Sequence, residues 1–364
     1  MNDTVHDIPR TGGRVAWIDI MRGIAILLMI LCHLSEYGTF PQSLYKLIYV
    51  FHVPVFFFVT GCVEHFDVAA GKFIRKKINT LLIPYFILFL ASHPHVFELN
   101  RCEKLPGVVF DLLTGQNVDQ FWFLPTLFFT ELLFKLIYDL SNKYFPYWTV
   151  ILALIGISVN RFLLPVHLFQ RTYPSLFWHL DAVPIVLLFM YLGHVSFRKG
   201  VFDRITRSKK RFYGTAFLCL LITLFSAKFN SPVDIHLGRY GNFLWFYIGS
   251  CAGIFLTALF SLFLERRKIR GLSDFLILAG KNSLTLLAFH WLFGGWFSTL
   301  LSRAEKSYHF AINGYIRVYV VFLAGILMTL PLMYILNRFF PFAVGRHKAK
   351  PQPLPAARPA GDRQ

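Results

Sequence analysis

Ten separate runs of about twenty mostly apolar residues divide this chain, and a run of that length crosses the hydrocarbon core of a bilayer as a helix. They fall near 15–36, 46–64, 79–98, 120–140, 147–165, 179–197, 212–229, 241–264, 283–302 and 315–338. Hydrocarbon offers no partner to a backbone N–H or C=O, so a spanning segment is a helix or one strand of a closed barrel. A barrel strand needs alternation over about ten positions, a pattern these runs lack. The expected fold is an all-α integral membrane protein, a bundle of about ten transmembrane helices. Composition agrees: 55 % of the 364 residues are hydrophobic and 15 % charged, which excludes an ordinary soluble domain and a disordered chain. No small-residue cleavage site follows the first run, which therefore reads as a retained helix.

The formal net charge is +18. On a soluble protein that excess would point to nucleic acid. Here the cations sit in short loops between apolar runs, so the expected partner is the lipid bilayer, with no nucleic acid. The basic loops carry Arg10 and Arg14; Lys72, Arg75, Lys76 and Lys77; a cluster from Arg198 to Arg211; Arg266, Arg267, Lys268, Arg270 and Lys281; and Arg346 onward. The alternate loops are poor: Lys46; Arg101 and Lys104; Arg171; Lys228 and Arg239; Arg303 and Lys306. This alternation predicts that both termini are cytoplasmic. It divides the chain into a cytoplasmic tail at 1–14, a ten-helix membrane domain at 15–338 and a basic, Pro-rich cytoplasmic tail at 339–364 whose composition reads as disordered. Of the five cysteines, Cys32, Cys62, Cys219 and Cys251 fall inside apolar runs and none forms a CxxC pair, so neither a disulfide framework nor a metal site is expected.

The first run reads WIDIMRGIAILLMILCHL and carries Asp19, Arg22 and His33. Asp19 and Arg22, three apart, pair on one helix face. Arg22 and His33 are eleven apart; eleven steps of about 100° return to within about 20° of the start, about 16 Å further along the axis. One stripe of a membrane helix thus holds a carboxylate, a guanidinium and an imidazole, groups that face a protein interior or a wet cavity. Spacing alone leaves two readings open: a functional stripe, or a charged helix end with a histidine bonded to a neighbouring helix. Elsewhere, His52 reads as an interhelical hydrogen bond, His179 and Asp181 as an interfacial cap or a substrate contact, and Glu131 with Lys135 as an i,i+4 pair.

Five motifs in order carry a resemblance. Asp19-Ile20-Met21-Arg22-Gly23, with His33 following, resembles the Arg-x10-His signature of the acyltransferase-3 family of integral-membrane acyltransferases. FHVPVFFFVTG at 51–61 is similar to that family's FHxPxFFxxSG segment, with Thr60 for the usual Ser. KFIRKKINTLLIPY at 72–85 resembles its basic loop followed by Pro-Tyr. Trp122-Phe123-Leu124-Pro125 resembles its WFL motif, and GKNSLTLLAFH at 280–290 its late GxxSLxxxxxH segment. The chain departs from the family's Arg-x-x-Arg pair in the second basic loop: Arg75, Lys76 and Lys77 lead into Ile78, Asn79 and Thr80.

The resemblance implies a multi-pass bacterial inner-membrane (plasma-membrane) enzyme that transfers an acyl group, usually acetyl from acetyl-CoA as co-substrate, to a carbohydrate hydroxyl. The acceptor it implies is a surface or exported polysaccharide or a lipid-linked oligosaccharide, with polysaccharide assembly machinery as a further partner and no metal. A xanthan-type exopolysaccharide O-acetyltransferase fits the FHxPxFF form. On this reading the catalytic set is His33, Arg22 and Asp19. His33 serves as general base, because an imidazole titrates near neutrality, or as the site of an acetyl-His intermediate. Asp19 orients Arg22. Arg22, Arg75, Lys76 and Lys77 are candidate CoA contacts, and Arg22 is equally open to a pantetheine contact or to positioning partners of His33. Trp122, Asn282, Ser283 and His290 are candidate substrate or oxyanion contacts. Two rival readings remain on sequence grounds: a multispan transporter of a sugar or lipid-linked glycan precursor, and a non-catalytic scaffold of an assembly complex.

Overall fold

A computed structural model describes residues 15–94, 105–168, 171–267, 269 and 271–346. Arg10, Arg14 and the rest of 1–14, His95, Arg101, Lys104, Lys268, Arg270 and the tail beyond 346 lie outside the described residues, as does the Arg171 side chain. The helices are α1 Ala16–His33, α2 Gln42–Val63, α3 Ala70–Lys77, α4 Ile83–Ser92, α5 Leu105–Thr114, α6 Phe123–Ser141, α7 Phe145–Phe162, α8 Ala182–Arg198, α9 Val201–Thr206, α10 Lys209–Phe229, α11 Phe243–Arg267, α12 Leu272–Lys281, α13 Ser283–Tyr308 and α14 Gly314–Phe339. A short antiparallel hairpin, β1 Val166–Leu168 with β2 Arg171–Tyr173, is the only sheet among the described residues.

Nine helical stretches among the described residues are long and apolar enough to cross a membrane. The run expected at 79–98 is the exception. There α3, a π-turn at Ile78–Leu82 and α4 form one continuous helix whose first part carries Lys72, Arg75, Lys76 and Lys77. The apolar remainder, Ile78–Ser92, is about 22 Å long at 1.5 Å per residue, short of a hydrocarbon core of about 30 Å. The basic segments meet at one end of the bundle. The Trp17 N–H donates to Glu265 Oε1 (3.2 Å), the Trp17 ring lies 5.3 Å from Phe202, and Arg266 donates to the Thr206 carbonyl (3.3 Å). Arg346 donates to Asn337 and to the Lys281 carbonyl, beside the Gly280–Asp19 contact. Residues 15 and 346 therefore lie at the same end of the bundle.

Inside lipid a helix must replace any backbone bond it loses. Pro54 interrupts α2 and cannot donate to the Val50 carbonyl. Ser250 of α11 supplies the missing donor, its hydroxyl 2.6 Å from that carbonyl. His52 also differs from the sequence expectation: its Nδ1 bonds the Ile48 carbonyl of its own helix (3.0 Å), the nearest acceptor to a histidine one turn on. Lys135 likewise takes Asp139 as its i,i+4 partner, leaving Glu131 to another cation.

Helices in lipid gain little from hydrophobic burial against one another, so close backbone approach at small residues does the packing. α1 crosses α12 with Gly23 against the Leu276 carbonyl and Gly280 against the Asp19 carbonyl; a Cβ would lie 2.1 Å and 1.9 Å from those oxygens. α2 crosses α8 in the same way, through Gly61 on Met190 and Gly193 on Phe58. Gly280→Ala is expected to destabilise the detergent-solubilised protein by about 1–3 kcal/mol through overpacking. Gly214→Ala, with nothing within 4 Å of its added methyl, is expected to be neutral or stabilising by up to about 1 kcal/mol. Thermal unfolding compares the two, and equal melting temperatures would contradict the close crossing.

Candidate active site

α1 presents Arg22, Ile26, Met29 and His33 to one cavity of about 480 Å³, steps of four, three and four that trace a single helical stripe. That volume lies within the range of small-molecule sites. α2 contributes Tyr45, Tyr49, His52, Phe56 and Thr60 to the walls, and α13 contributes Ser283, Leu287 and Trp291. The 3-10 turn Asp119–Trp122 and the start of α6 add Asp119, Gln120, Trp122 and Phe123, and the loop between α10 and α11 adds Asp234 and His236. Between Arg22 and His33 the wall is apolar, made by Ile26, Met29, Val53, Phe56, Leu284 and Leu287. The cavity thus has a guanidinium at one end, an apolar middle, and an imidazole with carboxylates at the other end.

His33 is half-buried and its Nδ1 lies 3.0 Å from Nε2 of the buried His290. The hydrogen-bond network assigns both tautomers. His290 Nδ1 sits 3.0 Å from the Leu286 carbonyl and 2.8 Å from the Leu287 carbonyl. A carbonyl only accepts, so the single proton of neutral His290 is on Nδ1 and its Nε2 is an acceptor. The short contact then requires the proton of His33 on Nδ1, donated to His290. This leaves His33 Nε2 with a bare lone pair. The Trp291 indole nitrogen lies 3.3 Å from His33 Nδ1; with the proton on Nδ1 there is no lone pair to meet it, so the indole N–H is left to the cavity that Trp291 lines. Trp291 escaped the sequence reading, although it follows His290 directly in the chain.

At the other end Arg22 Nη1 lies 3.7 Å from Oδ1 of the buried Asp19. Ser283 and Trp122 line the cavity, but Asn282 and His290 do not. Asn282 is tied into the α12–α13 junction: its amide donates to the Leu278 carbonyl (2.8 Å) and its carbonyl accepts from Asn337 (2.7 Å). Arg75 is exposed, and Lys76 bonds Glu64 (2.7 Å) with half its side chain in solvent. Lys77 departs from the expected phosphate contact. It is buried just before the π-turn, its ammonium held between Glu64 (2.6 Å) and Glu131 (2.7 Å). Two carboxylates already surround that charge, and none of Arg75, Lys76 and Lys77 lines the cavity. His179 and Asp181 are buried rather than interfacial. Asp181 Oδ1 accepts from the Leu176 N–H (2.8 Å), and His179 packs 5.2 Å from Trp122. In the α10–α11 loop, burial lowers the His236 pKa against the pull of Asp234, and burial raises that of Asp234.

A multispan membrane protein with a histidine-bearing cavity beside its first helix is the class that fold and site define. The chain belongs to the acyltransferase-3 family, whose model, described as an acyltransferase domain, matches residues 15–338. It is 28 % identical over 171 residues to nodulation protein NolL of Sinorhizobium fredii (strain NBRC 101917 / NGR234). That match covers 43 % of this chain and 45 % of NolL, so the chain spans about half the length of the curated relative it matches. No solved structure matches.

The buried Lys77 charge yields a stability test. Removing one partner from a buried ionic set costs about 3–5 kcal/mol, so Lys77→Met is expected to lower thermal stability sharply while Arg75→Ala changes it little. For Glu64, burial works to raise the pKa, but Lys77 and then Lys76 outweigh it and hold the group below its ordinary 4.5. A carboxylate depressed on folding adds stability that is complete above the unfolded value and lost as pH falls through the folded one. Glu64→Gln is therefore expected to be less stable at pH 7 and to lose melting temperature less steeply below about pH 4.5. Parallel pH profiles for wild type and variant would contradict this.

Proposed function

We propose that the protein is an O-acetyltransferase of the bacterial inner membrane, moving acetyl from acetyl-CoA to a hydroxyl of a surface or exported polysaccharide or its lipid-linked precursor. The carrying observation is one cavity that joins Arg22 to a His33 whose Nε2 lone pair is left bare. A sugar hydroxyl needs a base as it attacks. His33 Nε2 takes the hydroxyl proton while the oxygen bonds the thioester carbonyl carbon. The oxyanion so formed accepts from the Trp291 indole N–H, which lines the cavity beside His33. The C–S bond then breaks, and the departing thiolate takes the proton from His33 Nε2, leaving an acetyl ester and CoA. While protonated, His33 keeps its Nδ1 bond to His290, so the imidazolium has an acceptor in place. General-base catalysis of this kind contributes about 10²–10⁴-fold.

The donor reaches His33 from the Arg22 end. Phosphates do not enter hydrocarbon cheaply, so the nucleotide stays near Arg22 and the exposed Arg75 and Lys76, and the pantetheine arm threads the apolar middle over about 16 Å. Asp19 holds Arg22 in place. The acceptor, presented by polysaccharide assembly machinery, enters from the His33 end, and the acetyl group crosses while CoA stays behind.

His33→Ala is expected to abolish acetyl transfer with expression and folding intact; near wild-type product would remove the base role. His290→Ala is expected to lower kcat about 10–100-fold, as loss of a partner that orients an essential group does, with KM for acetyl-CoA unchanged and the pH–rate limb of His33 displaced. Arg22→Lys is expected to raise KM for acetyl-CoA, since an ammonium lacks the planar fork that grips phosphate. CoA release from acetyl-CoA with an acceptor glycan reads all three, and would be absent from a transporter or a scaffold.

The same reading requires the basic end to be cytoplasmic. Reporter fusions after Arg207 and Arg266 are expected to be active only for a cytoplasmic reporter. Activity of a periplasmic reporter at either point would reverse the direction of transfer.

A further inference from the structure

The end of the cavity away from Arg22 has a chemistry that the acetyl-transfer chain leaves unused. Beyond α1, the 3-10 turn Leu34–Tyr37 brings Glu36 to the cavity one turn past His33. Asp119 joins it from the turn before α6. Asp234 and His236 join from the α10–α11 loop, which is braced by a backbone bridge between Asp234 and Arg239 (2.6 and 2.8 Å) and by Asn160 donating to the Gly238 carbonyl (3.0 Å). The Trp122 ring stacks on His236 at 5.6 Å and 28° and packs on buried His179, so its plane is set before any ligand arrives. Gln120 also lines this end. It is 5 % exposed, and its side-chain carbonyl has no donor among the described residues. A buried acceptor without a donor is costly unless a ligand supplies one.

We propose that this end is the acceptor subsite and that it selects an uncharged sugar over an anionic one. Trp122 is the stacking platform, Gln120 and Asp234 accept hydrogen bonds from sugar hydroxyls, and Glu36, Asp119 and Asp234 together exclude acids. The proposal rests on the acetyl-transfer reading and deepens it by naming the acceptor class. A pyranose offers an apolar C–H face and a rim of hydroxyl donors. The aromatic plane meets the first, and acceptor-only carboxylates meet the second. One Asp234 oxygen is already held by the Leu237 N–H (3.3 Å), which fixes the carboxylate for the remaining contact. A uronate or phosphorylated sugar would bring its charge among three carboxylates, and like-charge juxtaposition is how a site rejects a wrong partner. Arg22 is the only Arg or Lys among the cavity's described lining residues. It lies about 16 Å along α1 from His33, at the far end of the cavity from the three carboxylates.

The test uses the full chain in lipid nanodiscs and two probes that differ only at C6, methyl glucoside and methyl glucuronide, with binding read by saturation-transfer NMR. The glucoside is expected to bind at least about tenfold tighter than the glucuronide at low salt, a gap that narrows as salt rises. Asp234→Asn combined with Glu36→Gln is expected to shrink the gap to about threefold or less by removing two like charges. Trp122→Ala is expected to weaken both sugars, and Trp122→Phe, which keeps an aromatic face, to retain them. Equal or tighter glucuronide binding, discrimination that survives the neutral variants, or no saturable binding of either sugar would overturn the proposal. Binding separates this proposal from the chemistry. A wild-type protein that binds with this preference yet transfers no acetyl refutes the transfer reading alone.

Discussion

A helix carrying Asp19, Arg22 and His33 cannot rest against hydrocarbon, and the bundle is arranged to enclose it. α2, α11, α12, α13 and α14 all pack on α1. On the α12 side the enclosure is tight, because Gly23 and Gly280 let the two backbones touch. On an adjacent face large residues of α2, α6 and α13 line an open cavity, and the polar stripe faces it. The same constraint that excludes α1 from lipid therefore builds the site: charged groups on one stripe need a polar or wet wall, and packing the remaining stripes supplies it.

The second consequence concerns direction. His33 receives its orientation from His290, and His290 receives its own from two carbonyls of α13. Backbone carbonyls, not a carboxylate, stand behind the pair. A carboxylate bonded to His290 would put a full negative charge in direct contact with the pair. Carbonyls fix which nitrogen carries the proton without adding that charge. The regular backbone of one membrane helix thus sets the tautomer of a residue on another.

Legibility in the sequence followed the range of the interaction. The spacing of Arg22 and His33 predicts a shared face, because eleven residues nearly complete three helical turns, and both line the cavity. Apolar runs predicted the bundle, except at the third run, where the helix ends at Ser92. The motif match offered His290 as a substrate contact, and only the crossing of α1 with α13 puts it behind His33. Local spacing misled at Lys135, which had a carboxylate one turn away on each side and took Asp139, while Glu131 met Lys77 from a helix far off in the chain. Glu36, Asp119, Asp234 and His236 were missed for a different reason. They sit on turns, where neither a helical period nor a run of apolar residues marks a side chain's direction.

This last group separates two jobs within one cavity. His33, His290 and Arg22 belong to long helices whose positions are held by close crossings and buried bonds. The carboxylates and the aromatic platform belong to the Leu34–Tyr37 and Asp119–Trp122 turns and to the α10–α11 loop. A change on a helix moves both jobs, because α1 and α13 carry wall residues along their length. A change on a turn reaches only the end beyond His33. Under the proposed acceptor reading, the groups that would meet the sugar sit on turns and a loop, apart from the long helices that hold His33 and Arg22.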